Sequence, residues 1–280
     1  MRRFLVTALA VAAAAAPSVH AAPAPLRYVA MGDSYAAASG VLPPDPFAPF
    51  DCLRSSRNFS HVIAEATGAN LTDVTCGAAE TRHYFEPQYD NVPPQLDALA
   101  KDTQVVTMTI GGNDSGVFIN AIAYCGQAAV TAAFQGSPCK DRYGSSFEDT
   151  IRTTTYPSLV KALTAVRERA PRAKVAILGY PWILPETGGC LDKMPVAEGD
   201  VPYLRGVQAT LNDAVGRAAA AAGATYVDLS VVSNGHDACQ DIGVRWVEPV
   251  LQSTNPVVVH PNALGESEMA AATMRALRLG

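Results

Sequence analysis

The chain has 280 residues, 49% of them hydrophobic, with 21 Lys and Arg against 26 Asp and Glu and a formal charge of −5 at pH 7. That balance, without any basic cluster interleaved with aromatics, speaks against a nucleic-acid partner, because phosphate binding needs a basic face. Neutral esters and lipids stay open, since apolar grooves engage them and modest negative charge mainly keeps a protein soluble.

From the amino end, Met1-Arg2-Arg3 followed by the apolar run Phe4 to Ala16 has the form of a secretory signal peptide, too short to span a bilayer comfortably. Val19-His20-Ala21 offers the small-residue cleavage pattern, so residues 1 to 21 are expected to be removed and the protein to be secreted to the extracellular space. Loss of Arg2 and Arg3 leaves 19 basic and 26 acidic residues, a formal charge of −7. Residues 22 to 280 contain no linker or shift of composition and are expected to form one domain with a substantial core.

Strands are expected at Arg27 to Met31, Asn70 to Thr75, Gln104 to Ile110, Lys174 to Gly179 and Thr225 to Leu229, each a short apolar run rich in β-branched residues and bounded by turn formers. Helical patterns lie between them. Asn58 to Ala66 is amphipathic, Pro94 to Ala100 is short, and Ser145-Ser146-Phe147-Glu148 has the form of a capping box opening a helix towards Ala170, which Pro157 should kink or split. Asp200 can cap a helix with Pro202 in its first turn, running to Ala222 and ended by Gly223, and Asn262 to Leu279 closes the chain as a helix. Residues 41 to 55, 115 to 145 and 181 to 200 have no periodicity that fixes their path. Alternation of strand and helix favours an α/β fold with a parallel sheet covered on both faces.

Gly32-Asp33-Ser34 ends the first strand, which puts Ser34 at the carboxyl edge of the sheet where the amides of a following helix point outward. Alone, such a tripeptide reads as a turn with a helix cap. Its company changes the reading: Gly111-Gly112-Asn113-Asp114 follows the third strand, and Val259-His260-Pro261-Asn262 lies near the carboxyl end. A serine, an asparagine after paired glycines and a late histidine are the side chains acyl transfer needs as nucleophile, oxyanion donor and general base. His61, His83 and His236 lie in a helix pattern or in polar loops and lack that setting. Asp33 and Asp114 fit loop tethers better than chemistry. Neither Gly-x-Ser-x-Gly nor His-Glu-x-x-His occurs, so a nucleophile elbow and a metallohydrolase have no support.

With Gly32-Asp33-Ser34, the glycine of Cys76-Gly77-Ala78, Gly112-Asn113-Asp114 and His260 in order, the mature chain resembles the GDSL, or SGNH, hydrolase superfamily, and within it the secreted, disulfide-containing esterases and lipases of actinomycetes. The resemblance implies a three-layer α/β/α sandwich around about five parallel strands. It implies an acyl-enzyme on Ser34 with His260 as general base, an oxyanion hole of the Ser34 and Gly77 amides and the Asn113 side chain, and neither cofactor nor metal. Six cysteines in an exported chain allow fifteen connectivities. The resemblance selects Cys52 with Cys76, Cys125 with Cys139 and Cys190 with Cys239.

One position departs from the family pattern: most members carry an aspartate three residues before the histidine, where this chain has Val257. Some secreted relatives use a backbone carbonyl there, which implies that the Val257 carbonyl orients His260. The rival is an acid from elsewhere, with Asp228, Asp237, Asp241 and Glu248 the nearest candidates. The expected protein is a monomeric serine esterase or lipase acting on carboxylic esters such as acyl glycerols, with transient contact to lipid surfaces. A phospholipase A1 or lysophospholipase, a carbohydrate acetyl esterase on the same fold, and an inactive binding module are the alternatives.

Overall fold

Five short runs form the strands: β1 (Arg27–Gly32), β2 (Asn70–Asp73), β3 (Val105–Thr109), β4 (Lys174–Leu178) and β5 (Thr225–Val227). The computed structural model describes residues 24–279, so the expected signal peptide lies outside the described residues. Neighbouring strands all pair in parallel, in the order β2-β1-β3-β4-β5. The connection leaving β1 runs to β2 on one side and the connection leaving β3 runs to β4 on the other, which opens a crevice at the carboxyl ends of β1 and β3.

The helices are α1 (Ser34–Ala37), α2 (Phe59–Thr67), α3 (Val117–Thr131), α4 (Pro138–Tyr143), α5 (Ser146–Thr150), α6 (Tyr156–Arg169), α7 (Val201–Ala222) and α8 (Ala263–Leu277). Side chains alternate along each strand, so one face of the sheet carries Val29, Met31, Val106, Met108 and Ile177 against Leu159 and Leu163 of α6 and Val215 of α7. The other face carries Tyr28, Val105, Ala176 and Leu178 against Phe59 and Ile63 of α2 and Met269 of α8. The result is the expected three-layer α/β/α sandwich. Each fully buried leucine or isoleucine in these layers contributes about 1.5 to 3 kcal/mol by leaving water.

Most expected boundaries hold within two residues, and the exceptions have local causes. Strand β2 stops at Asp73 because its carboxylate accepts both the backbone N–H and the hydroxyl of Thr75, at 2.9 and 2.7 Å, and turns the chain. The capping box at Ser145 does not form. Its hydroxyl donates to the Asp149 carboxylate at 2.7 Å, and the helix runs as α5, a π-helical turn over Ile151–Thr155 and then α6. Pro157 lies in the first turn of α6, where its missing N–H costs little. Asp200 caps a helix other than its own: it accepts the Cys139 and Lys140 N–H groups, both at 2.9 Å, at the amino end of α4. Pro94 to Ala100 yields only a 3₁₀ turn, Gln95–Ala98. Helix α3 fills a stretch without an expected element, since Val-Phe-Ile-Asn-Ala-Ile-Ala-Tyr is apolar on almost every side and carries no charge to mark a solvent face.

The three disulfides pair Cys52 with Cys76, Cys125 with Cys139 and Cys190 with Cys239, as the resemblance implied. The first ties the loop after α1 to the turn after β2, the second joins α3 to α4, and the third joins the long loops after β4 and β5. Chain-entropy arithmetic over their separations of 24, 14 and 49 residues assigns stabilities of about 3, 3 and 4 kcal/mol. Paired serine substitutions followed by urea unfolding should therefore rank Cys190–Cys239 as the costliest bridge to lose. Equal stability of all three variants and the parent would contradict this assignment.

Candidate active site

Ser34 sits where β1 ends and α1 begins, and Gly32 makes the turn. At φ +123° its backbone lies where side chains are strained, and an added Cβ would stand 2.2 Å from the Thr109 carbonyl oxygen. A glycine is therefore required for β1 and β3 to approach at the crevice. The buried Gln95 amide clamps the same residue from both sides, accepting the Gly32 N–H at 2.6 Å and donating to its carbonyl at 3.0 Å. Asp33 is the N-cap of α1, with its carboxylate accepting the Tyr35 N–H and the hydroxyls of Thr109 and Tyr180. Burial raises this carboxyl to about 6 despite those three donors. Asp114, bonded to the N–H and hydroxyl of Thr81, is likewise raised to about 6 by burial. Both aspartates are loop tethers.

His260 approaches from 226 residues away, its Nε2 2.7 Å from the Ser34 hydroxyl oxygen. Its Nδ1 lies 2.7 Å from the Val258 carbonyl oxygen. A carbonyl only accepts, so Nδ1 carries the proton and the Nε2 lone pair faces the serine. The orienting carbonyl thus belongs to Val258 and not to Val257, whose Cβ instead packs against Gly40. The one-residue difference comes from Val259, which holds φ +58°, a left-handed conformation rare for a β-branched residue, and so turns the preceding carbonyl back onto the ring.

That turn is held on both sides. The Val259 N–H donates to the Glu248 carbonyl at 2.9 Å, the Tyr35 hydroxyl donates to the Val259 carbonyl at 2.7 Å, and the Glu248 N–H donates to the His260 carbonyl at 2.9 Å. The Tyr35 ring lies 5.1 Å from the imidazole, and Phe118 stands edge-on to it at 5.9 Å. The four acids considered as rivals are all engaged elsewhere. Asp228 accepts the Ser230 N–H, Asp237 the Cys239 N–H, Asp241 meets Lys193, and Glu248 forms a buried ion pair with Arg245 at 2.7 Å. Among the described residues none of their carboxylates bonds to the His260 ring.

Of the three expected oxyanion donors, one is occupied. The Gly77 N–H donates to the Cys52 carbonyl at 2.8 Å, an arrangement enforced by the adjacent Cys52–Cys76 bridge, so it is not a free donor. Asn113 spends one amide hydrogen on the Ala79 carbonyl at 3.0 Å and keeps a second without an acceptor among the described residues. The Ser34 N–H, first in α1, likewise has no acceptor among the described residues. The other histidines stand apart: His61 bonds Asn58, His83 accepts the Glu80 N–H, and His236 bonds the Val244 carbonyl.

Residues 30–267, from within β1 into α8, match the GDSL-like lipase/acylhydrolase family. The chain belongs to that family. It is 60% identical to "Lipase 2" of Streptomyces coelicolor over 268 residues, which cover 94% of this chain and 90% of that protein. Among solved structures it is similar to the extracellular lipase of Streptomyces rimosus, with a TM-score of 0.75 at 27% identity over 90% of this chain and 99% of that one. It is similar also to phospholipase A1 of Streptomyces albidoflavus, with a TM-score of 0.73 at 26% identity over 90% and 100%. The protein is a lipase or esterase of the GDSL type, a hydrolase of carboxylic esters.

In this GDSL hydrolase, burial lowers the His260 pKa from its usual 6.5, while the bond to the Val258 carbonyl works in the opposite direction. The imidazole is therefore neutral, and able to accept a proton, at neutral pH and somewhat below. Beyond Phe118 lies a cavity of about 200 Å³ with a nearly wholly apolar wall from α3, α7 and the loop after β4. Tyr35, Tyr180, Gln95 and Phe118 escaped the sequence reading. Only Tyr35 carried a signal there, its place next to Ser34.

Tyr35→Phe tests the clamp on Val259. Losing the hydroxyl should lower kcat about tenfold with KM within about twofold, because the substrate contacts remain while the base loses its fixed aim. A slacker Nδ1–H bond also removes what raises the His260 pKa, so the acid limb of kcat/KM should move to lower pH. An unmoved acid limb with kcat within about twofold of the parent would show that the hydroxyl only fills space.

Proposed function

We propose that this protein is a secreted serine esterase or lipase that cleaves fatty acyl esters through an acyl-enzyme on Ser34, with His260 as general base and no cofactor or metal. The observation that carries this reading is the line from the Ser34 hydroxyl through the His260 ring to the Val258 carbonyl, two hydrogen bonds of 2.7 Å each. Such a line leaves the base in the tautomer that accepts the serine proton.

In the proposed reaction the Ser34 oxygen attacks the ester carbonyl as its proton passes to His260 Nε2. Negative charge then grows on the former carbonyl oxygen, where the Ser34 N–H and the free Asn113 amide hydrogen receive it. Protonated His260 gives its proton to the leaving alcohol oxygen, and the C–O bond to the alcohol breaks. Water, deprotonated by the same nitrogen, attacks the acyl-enzyme to release the acid and restore Ser34. Gly77 has a structural part in this scheme, holding the Cys52 carbonyl beside the hole. Without a carboxylate, the imidazolium is stabilised by the carbonyl dipole alone.

Fatty esters suit the surface as well as the cavity. Phe47 and Phe50, 94% and 88% exposed, stand with Leu42 and Leu53 on the proline-rich loop that Cys52 ties beside Gly77. An exposed aromatic cluster of this kind fits transient contact of a monomer with a lipid surface. A phospholipase A1 activity is the second reading. It is favoured by the likeness to the phospholipase A1 of Streptomyces albidoflavus. Cleavage after Ala21 and export fit the three disulfides, which persist in oxidising compartments.

A fluorophosphonate probe should label Ser34 in the parent and fail to label Ser34→Ala or His260→Ala. Asn113→Ala should keep its fold and lower kcat by about two to three powers of ten, since its donor acts on charge that exists only in the transition state. A parent that the probe leaves unlabelled would refute the enzyme reading. An Asn113→Ala variant with full kcat and a raised KM would remove Asn113 from the oxyanion hole.

A further inference from the structure

Building on the esterase reading above, we infer that the cavity beyond Phe118 is an acyl-chain chamber, open at the catalytic crevice and closed at a depth of about eight carbons, so that the chain length of the acid is set by its far wall. Three observations converge on it. The first is position. Gly112, the residue before Asn113, lines the cavity, and so does Tyr180, whose hydroxyl bonds Asp33, the residue before Ser34. Phe118 lines it too while standing edge-on to both Tyr35 and His260, so one wall of the cavity adjoins the groups that would hold the ester carbonyl.

The second is chemistry. The polar side chains on the wall are already satisfied: the Tyr180 hydroxyl donates to Asp33 and accepts the Gly112 N–H at 2.9 Å. Gln208 accepts the Ile183 N–H at 3.1 Å and donates to the Tyr180 and Pro181 carbonyls at 3.2 and 2.7 Å. A sugar hydroxyl or a phosphate entering here would lose its water and gain no partner, whereas a hydrocarbon chain loses nothing. The wall therefore selects an aliphatic chain over an acetylated sugar.

The third is size. A cavity of about 150 Å³ lined by Leu, Ile and Phe holds one benzene, six carbons. At about 200 Å³ the same density admits about eight carbons in this chamber. Ile151 and Leu211, both buried, stand on its wall with α6 and α7 behind them, so a longer chain meets packed core. The acyl half of the ester is the occupant and not the alcohol half. The acid stays on Ser34 until water arrives, while the alcohol must leave past His260 and would be trapped by a closed chamber.

A series of straight-chain alkylboronic acids tests this on the wild-type enzyme, because boron takes the Ser34 oxygen as the acyl carbon does, with the serine proton passing to His260. Inhibition should tighten about three- to fourfold per added methylene and stop tightening near eight carbons. Ala121→Phe and Leu211→Phe, which build into the cavity from α3 and α7, should each move that break to a shorter chain by at least two carbons and lower the ratio of octanoyl to butyryl ester turnover at least tenfold. A wild-type series that is flat, or that keeps tightening well beyond twelve carbons, would overturn the chamber whether or not the variants fold. So would folded variants with an unmoved break. In both cases fluorophosphonate labelling of Ser34 would show the esterase reading still standing; a parent that neither labels nor binds any boronic acid would remove both.

Discussion

Everything at this site depends on one hydrogen bond, from His260 Nδ1 to the carbonyl of Val258. A histidine that accepts a serine proton must present one nitrogen without a hydrogen, and the ring is free to choose the other tautomer unless something accepts at Nδ1. Hydrolases with a triad assign that task to a carboxylate on a flexible side chain. Here the acceptor is part of the backbone, so its direction is set by the dihedral angles of the next residue. Val259 is held in a left-handed conformation that isolated valine avoids, at a cost of about 1 to 3 kcal/mol. Bonds from the Tyr35 hydroxyl and to the Glu248 carbonyl, with Val259 fully buried, offset that cost.

The clamps connect the late histidine loop to the first strand. Tyr35 follows the nucleophile directly, and its backbone N–H is bonded to Asp33, whose carboxylate also binds Tyr180 and Thr109. The Glu248 side of the loop is fixed separately, by the buried Arg245 pair and by Asn262, which bonds the Glu248 carboxylate at 2.9 Å and caps α8. Ser34 and His260 therefore belong to one hydrogen-bonded unit, although 226 residues separate them. The parallel sheet supplies the frame: β1 and β3 end side by side where the connections diverge, and the crevice between them receives Ser34 and Asn113.

The layers and the meeting of Ser34 with His260 were legible in the sequence because their signals are local. Short β-branched runs gave all five strands, Gly32-Asp33-Ser34 and Gly112-Asn113 mark the strand ends, and His260-Pro261-Asn262 marks a loop entering a capped helix. What escaped depends on contacts between distant segments. Nothing in the sequence around Val257 and Val258 tells which carbonyl meets the imidazole, because that follows from the φ angle of Val259 and hence from Tyr35. The reach of Asp200 to α4, and of Gln95 to Gly32, likewise requires knowing which loops meet. Gly77 illustrates the reverse case. Its motif is present, yet the disulfide beside it brings the Cys52 carbonyl onto its N–H. Helix α3 was hidden for a simpler reason: even its exposed side carries Ile119, Tyr124 and Val130, so no polar stripe marks its period.

The central claim, that a backbone carbonyl stands where a triad has an acid, is tested most directly by measuring kcat/KM for four amide replacements: Asp228→Asn, Asp237→Asn, Asp241→Asn and Glu248→Gln, each checked for an intact fold by circular dichroism. The account expects every one to stay within about tenfold of the parent, because none of these carboxylates touches His260 and the Glu248 contact to Val259 is made by its backbone. A loss of about a thousandfold or more in any one folded variant would mean that its carboxylate orients the imidazole during turnover, and would replace the dyad with a conventional triad.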